Sequence, residues 1–285
     1  MVHDPSEIVC EILGQPANTM NSPVNERYLC PFQNSVCTKR SHSSADPFPV
    51  CSVFRQRRDE ERVPIIVCPR RLYAADIYDD VIEHVWPGDK PKNPIRVHEV
   101  KMGNVGKVDM VIADLSNEGR SVKNFVSIEL QAIDITGTYE PAYTSIVLNR
   151  PLKTRPTYNF NYRNVQKRFI TQLIDKGFFH HHWGTKIIAV VQDFIYDNLK
   201  ERISFAEVDI ERSNVIFMQY SMIPVDTPDG MRFDLKLRGI TGTTHNELMM
   251  SSFYQKMPPR EEFCDRILKV HDKECPDRKE EIIFR

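Results

Sequence analysis

The sequence predicts a mixed α/β protein in which a central sheet is flanked by helices. Three observations predict it. Strand-length alternating segments cluster in residues 95–135. A continuous apolar run at 185–192, TKIIAVVQ, suits a central strand buried on both faces. Helical periodicity flanks these strands, with Ile77, Val81 and Val85 at spacing four before them and Val165, Phe169, Ile170, Leu173 and Ile174 on one face after them.

In chain order, residues 1–28 read as a short helical or irregular entry. Residues 28–71 are rich in Cys, Pro, Ser and Arg and poor in apolar periodicity, so they are not expected to build a core of their own. A helix over 72–86 is stopped by Pro87-Gly88, and a proline-rich connector runs to residue 94. Strands are expected at 95–101, 107–115 (KVDMVIADL) and 125–135 (FVSIELQAIDI), the last two joined by the polar turn SNEGRSVKN. A helix over 164–176 precedes the apolar strand, a further strand is expected at 215–220, and the chain returns to a charged helical pattern from residue 246. The triplet His180, His181 and His182 reads as a loop, because adjacent histidines point in different directions and rarely share one ion. The chain divides into an N-terminal subdomain, 1–72, and a larger domain, 73–285.

Composition narrows the function classes. Of 285 residues, 41% are hydrophobic and 27% charged, ordinary values for a globular protein, with no run long enough to cross a membrane. The start MVHDPSEIVC lacks a basic segment followed by an apolar one, so a cytoplasmic location is expected. Seven cysteines, an odd number, in a reducing compartment favour metal binding or simple burial over disulfides. A net charge of −1 excludes a wholly basic nucleic-acid coat but permits positive charge concentrated on one face.

Asp109 lies inside an apolar strand, where a charge is costly without a partner or a role. Alternation puts Val108, Met110 and Ile112 on one face and Lys107, Asp109 and Val111 on the other. On the next strand Val126, Ile128 and Leu130 take the core side, while Ser127, Glu129 and Gln131 project oppositely. If these strands pair, Asp109 and Glu129 converge on one hard cation such as Mg²⁺, which activates water and stabilises charge on a phosphodiester. The competing reading is the solvated outer face of an amphipathic hairpin.

Cys30, Cys37, Cys51 and Cys68 fall within 39 residues, separated by six, thirteen and sixteen residues. Four thiolates hold Zn or Fe tetrahedrally and would staple a segment that lacks apolar content; independently buried cysteines are the alternative. Cys10, Cys264 and Cys275 fall outside this set. Between residues 141 and 174 there is no acid, yet Arg150, Lys153, Arg155, Arg163, Lys167 and Arg168 occur there, interleaved with Tyr158, Phe160 and Tyr162. Arg55, Arg57, Arg58, Arg70 and Arg71 form further basic clusters in the cysteine segment. Such groups neutralise phosphates and read guanine edges, although any one of them alone is ordinarily a solvated surface charge.

Asp109, then Glu129 and Gln131 at a strand end, resembles the nuclease motif PD-(D/E)XK with glutamine in place of lysine. That variant, together with the cysteine segment, is similar to the NotI-like restriction endonucleases. The motif resemblance covers residues 95–135, and with the cysteine segment about 28–195; the C-terminal third carries none. The resemblance implies a restriction-endonuclease-like fold with an N-terminal four-cysteine metal-stapled subdomain, a structural iron, and a homodimer cutting double-stranded DNA at a GC-rich palindrome, its host DNA protected by a cognate methyltransferase. Asp109 and Glu129 match the metal-binding acids and Gln131 the third position. A carboxamide has no useful pKa and can only hydrogen-bond the water. Glu99 is the candidate additional acid, and Lys101 and Lys107 are candidates for the missing positive charge. The same residues also suit two other classes: a different nuclease with this core acting in DNA repair, and a metal-stapled DNA-binding protein without catalysis.

Overall fold

The computed structural model describes residues 2–19, 27–41, 44–55, 62–116, 118–228, 230–253 and 258–274. Its centre is a six-stranded mixed sheet in the order Gly230–Thr243, Val215–Thr227, Lys186–Gln192, Val122–Gln131, Lys107–Leu115, Pro94–Lys101. Lys186–Gln192 runs parallel to both of its neighbours, and the other pairings are antiparallel. All seven residues of Lys186–Gln192 are buried, as its unbroken apolar run predicts.

Each sheet face has its own apolar cluster. Met110, Ile112, Val126, Ile128, Ile188 and Val190 pack with Ile77 and Val81 of helix Ile77–His84. On the opposite face Ile187, Ala189 and Val191 pack with Phe169, Ile170 and Leu173. Helix Ile170–His182 therefore lies over the face to which Ser127 and Glu129 point. Its buried positions, Ile170, Leu173, Lys176, Gly177 and His180, follow the three-and-four spacing of an inward stripe. Gly177 permits the close approach: a Cβ there would lie 3.0 Å from both His245 Cβ and Val215 Cγ2. Truncating a fully buried side chain such as Leu173 or Ile128 to alanine would cost about 2–5 kcal/mol.

Several expectations need correction. The N-terminal entry is not merely irregular: Val9–Ile12 is a fully buried strand in a second, antiparallel sheet of order Gln15–Pro16, Val9–Ile12, Val50–Arg55, Val63–Ile66. The cysteine-rich segment accordingly has apolar support. Val50, Val53 and Ile65 join the same cluster as Val9, Ile12, Ile187 and Phe169, residues too far apart in sequence for local periodicity to show it. Gln192 locks the two sheets together, accepting from the Ile66 amide at 2.8 Å and donating to the Pro64 carbonyl at 2.7 Å. The three histidines do not form a loop; they are the last turn of helix Ile170–His182, where basic side chains face the negative helix end. The strand expected at 125–135 spans Val122–Gln131, with Ile135–Gly137 in a separate two-stranded sheet. The expected strand at 215–220 continues to Thr227, and its partner Gly230–Thr243 was not anticipated. Among the described residues no helix is long and apolar enough to cross a membrane.

Candidate functional site

The two acids meet as alternation predicts. The antiparallel ladder sets Met110 opposite Ile128, and one residue further Asp109 Oδ2 accepts the Leu130 N–H at 2.8 Å. Asp109 is half-buried and Glu129 is 6% exposed, so the solvated-hairpin reading is excluded for this pair. Their sheet face is covered by helix Ile170–His182, and desolvation dominates the electrostatics. Burial raises the Asp109 carboxyl, opposed by the Leu130 amide and the Lys176 charge. Burial pushes Glu129 up to about 7, with the Lys176 hydrogen bond pulling down and the Asp109 charge adding to the rise.

Lys176 is the residue that sequence reasoning missed. Its side chain is buried, with Nζ 2.5 Å from Glu129 Oε1 and donating to the Lys107 carbonyl at 2.6 Å. The signal was present: Lys176 lies three residues after Leu173 on the apolar stripe, a core position where a charge requires a partner. One turn on, His180 closes the same corner. Its Nδ1 faces the Lys176 carbonyl at 2.7 Å and must carry the proton, so Nε2 accepts from Ser127 Oγ at 2.7 Å. Burial lowers the His180 pKa to about 4, which keeps the ring neutral near pH 7.

The remaining motif positions are less direct. Gln131 lies at the same strand end, half-buried, and its amide donates to the Ala132 carbonyl rather than to either acid. Glu99 lies beside Asp109, where the ladder steps from Val108↔Val100 to Met110↔His98 and Glu99 takes φ +53. Such a left-handed conformation in a non-glycine residue is strained and often marks a functional position. Its carboxylate points outward, paired with Lys107 at 3.1 Å and 65% exposed, and the hydrogen bond from Lys107 lowers its pKa. Lys107 and Lys101 are thus exposed and supply no buried positive charge; Lys176 does. Tyr73 reaches in from the turn Pro69–Ala74, its hydroxyl 3.4 Å from the Asp109 carbonyl.

Cys30, Cys37, Cys51 and Cys68 line one cavity of 290 Å³ together with Lys39 and Arg70. Burial raises the Cys37 and Cys51 thiols, and the neighbouring cysteines add to the rise. Lys39 supplies a half-buried cation beside it, donating to the Val50 and Val67 carbonyls and the Tyr139 hydroxyl at 2.7, 3.1 and 2.9 Å. Four sulfur donors around one cavity suit a soft or borderline metal. As they stand, no three His, Cys, Asp or Glu side chains among the described residues converge into a metal cage. Cys10 is buried elsewhere, packed with Ile66 and Leu72; Cys264 is half-buried on the helix Arg260–Glu274, and Cys275 lies outside the described residues.

The basic residues separate into groups. Arg150, Lys153, Arg155 and Arg163 are exposed. Arg55 and Arg155 line a cavity of 710 Å³ with Tyr158, Phe160 and Tyr162, and the Arg55 guanidinium lies 4.8 Å from the centre of the Phe194 ring. The interleaved aromatics pack on one another, Phe160 against Tyr158 and Tyr162 at 6.0 and 6.3 Å. Arg70 is half-buried in the turn that also carries Cys68 and Tyr73, and its charge helps to lower Glu99. Arg71, expected on a DNA-facing surface, is 3% exposed. It makes two 2.9 Å bonds to Glu11 and one of 2.6 Å to the Phe233 carbonyl, because the strand Val9–Ile12 buries an acid that needs a cation. Arg57 and Arg58 lie outside the described residues.

A protein-family model described as Restriction endonuclease NotI matches residues 17–235, more than half of the chain. Neither a curated protein nor a solved structure matches it.

Proposed function

The chain belongs to the NotI restriction endonuclease family and is a type II site-specific deoxyribonuclease; from that premise we propose that Asp109 and Glu129 hold a catalytic Mg²⁺ for hydrolysis of double-stranded DNA. The observation that carries this is the convergence of two desolvated carboxylates from adjacent antiparallel strands, tied by the bond from the Leu130 amide to Asp109. Oxygen donors on rigid strands are the set a hard cation requires. The bound ion supplies a lowered water pKa and a charge that steadies the phosphodiester in transit.

Around that pair the chain's own groups orient and exclude. The Leu130 amide fixes Asp109, and Lys176 fixes Glu129. Gln131, at the open strand end, offers a carboxamide that hydrogen-bonds the attacking water without taking its proton. Glu99 completes the acidic rim as an additional carboxylate, with Lys107 as its partner. Arg55, Arg57, Arg58, Arg70, Arg150, Lys153, Arg155 and Arg163 contact the DNA, its phosphates or its base edges. Residues 1–72 act as a metal-stapled recognition subdomain and residues 73–285 as the nuclease domain. Cys30, Cys37, Cys51 and Cys68 hold a structural Fe or Zn, whose closed thiolate shell leaves no position for substrate. Two copies assemble so that each cleaves one strand of a GC-rich palindrome, and a cognate methyltransferase protects host DNA.

The test is digestion of a long mixed-sequence duplex in Mg²⁺ with sequencing of the ends. Discrete fragments sharing one palindromic sequence are expected. Cleavage without a shared sequence, or cleavage that survives Asp109→Ala, would refute the assignment.

A further inference from the structure

We propose that Lys176 is the resident counter-cation of the acid pair, holding Glu129 in the metal-free protein and yielding that place when a divalent ion binds. The inference rests on Asp109 and Glu129 being the metal-holding pair.

Lys176 occupies a core position of helix Ile170–His182 and is 3% exposed. A buried ammonium persists only with strong partners, and both of its partners belong to the site. One is Glu129 Oε1 at 2.5 Å; the other is the Lys107 carbonyl at 2.6 Å, two residues before Asp109. Its charge also acts on Asp109. Lys176 therefore neutralises part of the repulsion between two carboxylates that would otherwise share a dry corner. Neither of the other nearby side chains does so: Gln131 donates to Ala132, and Lys107 turns outward to Glu99.

An ammonium and a hard divalent ion seek the same carboxylate oxygen. Two cations at contact distance from one oxygen repel strongly in a desolvated site, so both cannot hold Glu129 Oε1 together. The Lys176 stem is flexible, and the Lys107 carbonyl remains available to it, so the displaced ammonium stays beside the reacting centre. There it is placed to meet the negative charge of a phosphodiester. In this way the chain keeps a cation near the acids although the third motif position is glutamine.

Calorimetric titration of the full chain with Ca²⁺ at pH 8 tests this in wild type, Lys176→Met, Lys176→Arg and Asp109→Asn. Lys176→Met is expected to bind Ca²⁺ roughly tenfold more tightly or better, because the competitor is gone, while Lys176→Arg stays near wild type. Weaker binding by Lys176→Met would overturn the proposal, since it would make Lys176 a support for Glu129 only. A second measurement does not depend on the variant folding. The ¹H–¹⁵N signal of the Lys176 ammonium in the wild-type protein is expected to shift when Ca²⁺ saturates the site; an unchanged signal at saturation overturns the proposal. Failure of the underlying reading looks different. Ca²⁺ binding that Asp109→Asn leaves intact, or no binding by wild type and Lys176→Met alike, removes the acid pair as a cation site and this inference with it.

Discussion

Asp109 Oδ2 accepts the Leu130 amide at 2.8 Å, which ties the first acid of the site to the strand that carries the second. Asp109→Ala removes both that tie and a metal ligand. We expect DNA cleavage in Mg²⁺ to fall by roughly a hundredfold or more, while sequence-specific binding, measured by mobility shift in Ca²⁺, persists. Loss of binding in step with cleavage would show that the residue serves folding instead.

Glu129 is raised to about 7 by burial, with Asp109 adding to the rise and Lys176 opposing it. A divalent ion needs the deprotonated carboxylate. Below about pH 7 a proton must leave first, so Ca²⁺ affinity should fall up to about tenfold per pH unit there and level off above it. Calorimetry from about pH 5.5 to about pH 8.5 reads the bend. An affinity independent of pH would place Glu129 among ordinary exposed carboxylates.

His180 is held neutral, with its pKa lowered to about 4 by burial. The unfolded chain takes up a proton near the usual histidine value of about 6.5, and the folded chain does not until about 4. The stability contributed by this group is therefore complete above about 6.5 and is lost as the pH falls towards 4. Because Glu129 has the opposite sign over part of that range, the cleanest readout is a difference. Urea titrations should show His180→Gln narrowing its stability gap to wild type as the pH drops; a gap that stays constant would contradict the neutral ring.

Arg71 and Glu11 form a buried pair with two 2.9 Å bonds. Arg71→Ala leaves the acid uncompensated and should destabilise the protein by about 3–5 kcal/mol. Arg155 is exposed beside a cavity lined by Arg55 and aromatic rings. Arg155→Ala should instead leave the melting temperature within about 2 °C and reduce the salt dependence of DNA binding by roughly one phosphate contact. Reversal of these two patterns would exchange the structural and DNA-binding assignments.

The four-cysteine assignment predicts about one Fe or Zn per chain by elemental analysis, from the tetrathiolate stoichiometry. Cys51→Ser should lower that content and the melting temperature together, whereas Cys10→Ala should leave the metal content unchanged, since Cys10 does not line the cavity that the other four share. Equal metal content in both variants would favour four independently buried cysteines.

Residues 107–131 show what the chain states locally. The alternation of Val108, Met110 and Ile112 against Asp109, and of Val126, Ile128 and Leu130 against Glu129, determined the two strands, their core faces and the common side of the acids, because a strand's side-chain period is two whatever surrounds it. The apolar run before Gln192 likewise announced a strand buried on both faces. Tertiary structure alone decided what covers the acids. Lys176 lies 47 residues from Glu129 and meets it only after helix Ile170–His182 packs across the sheet. The same holds for Arg71, which reads as a DNA-facing cation in the sequence and meets Glu11 only once Val9–Ile12 has entered a sheet with Val50–Arg55. Periodicity along a chain reports which way a side chain points; which charge waits on the other side depends on contacts between distant segments, and no local spacing encodes those.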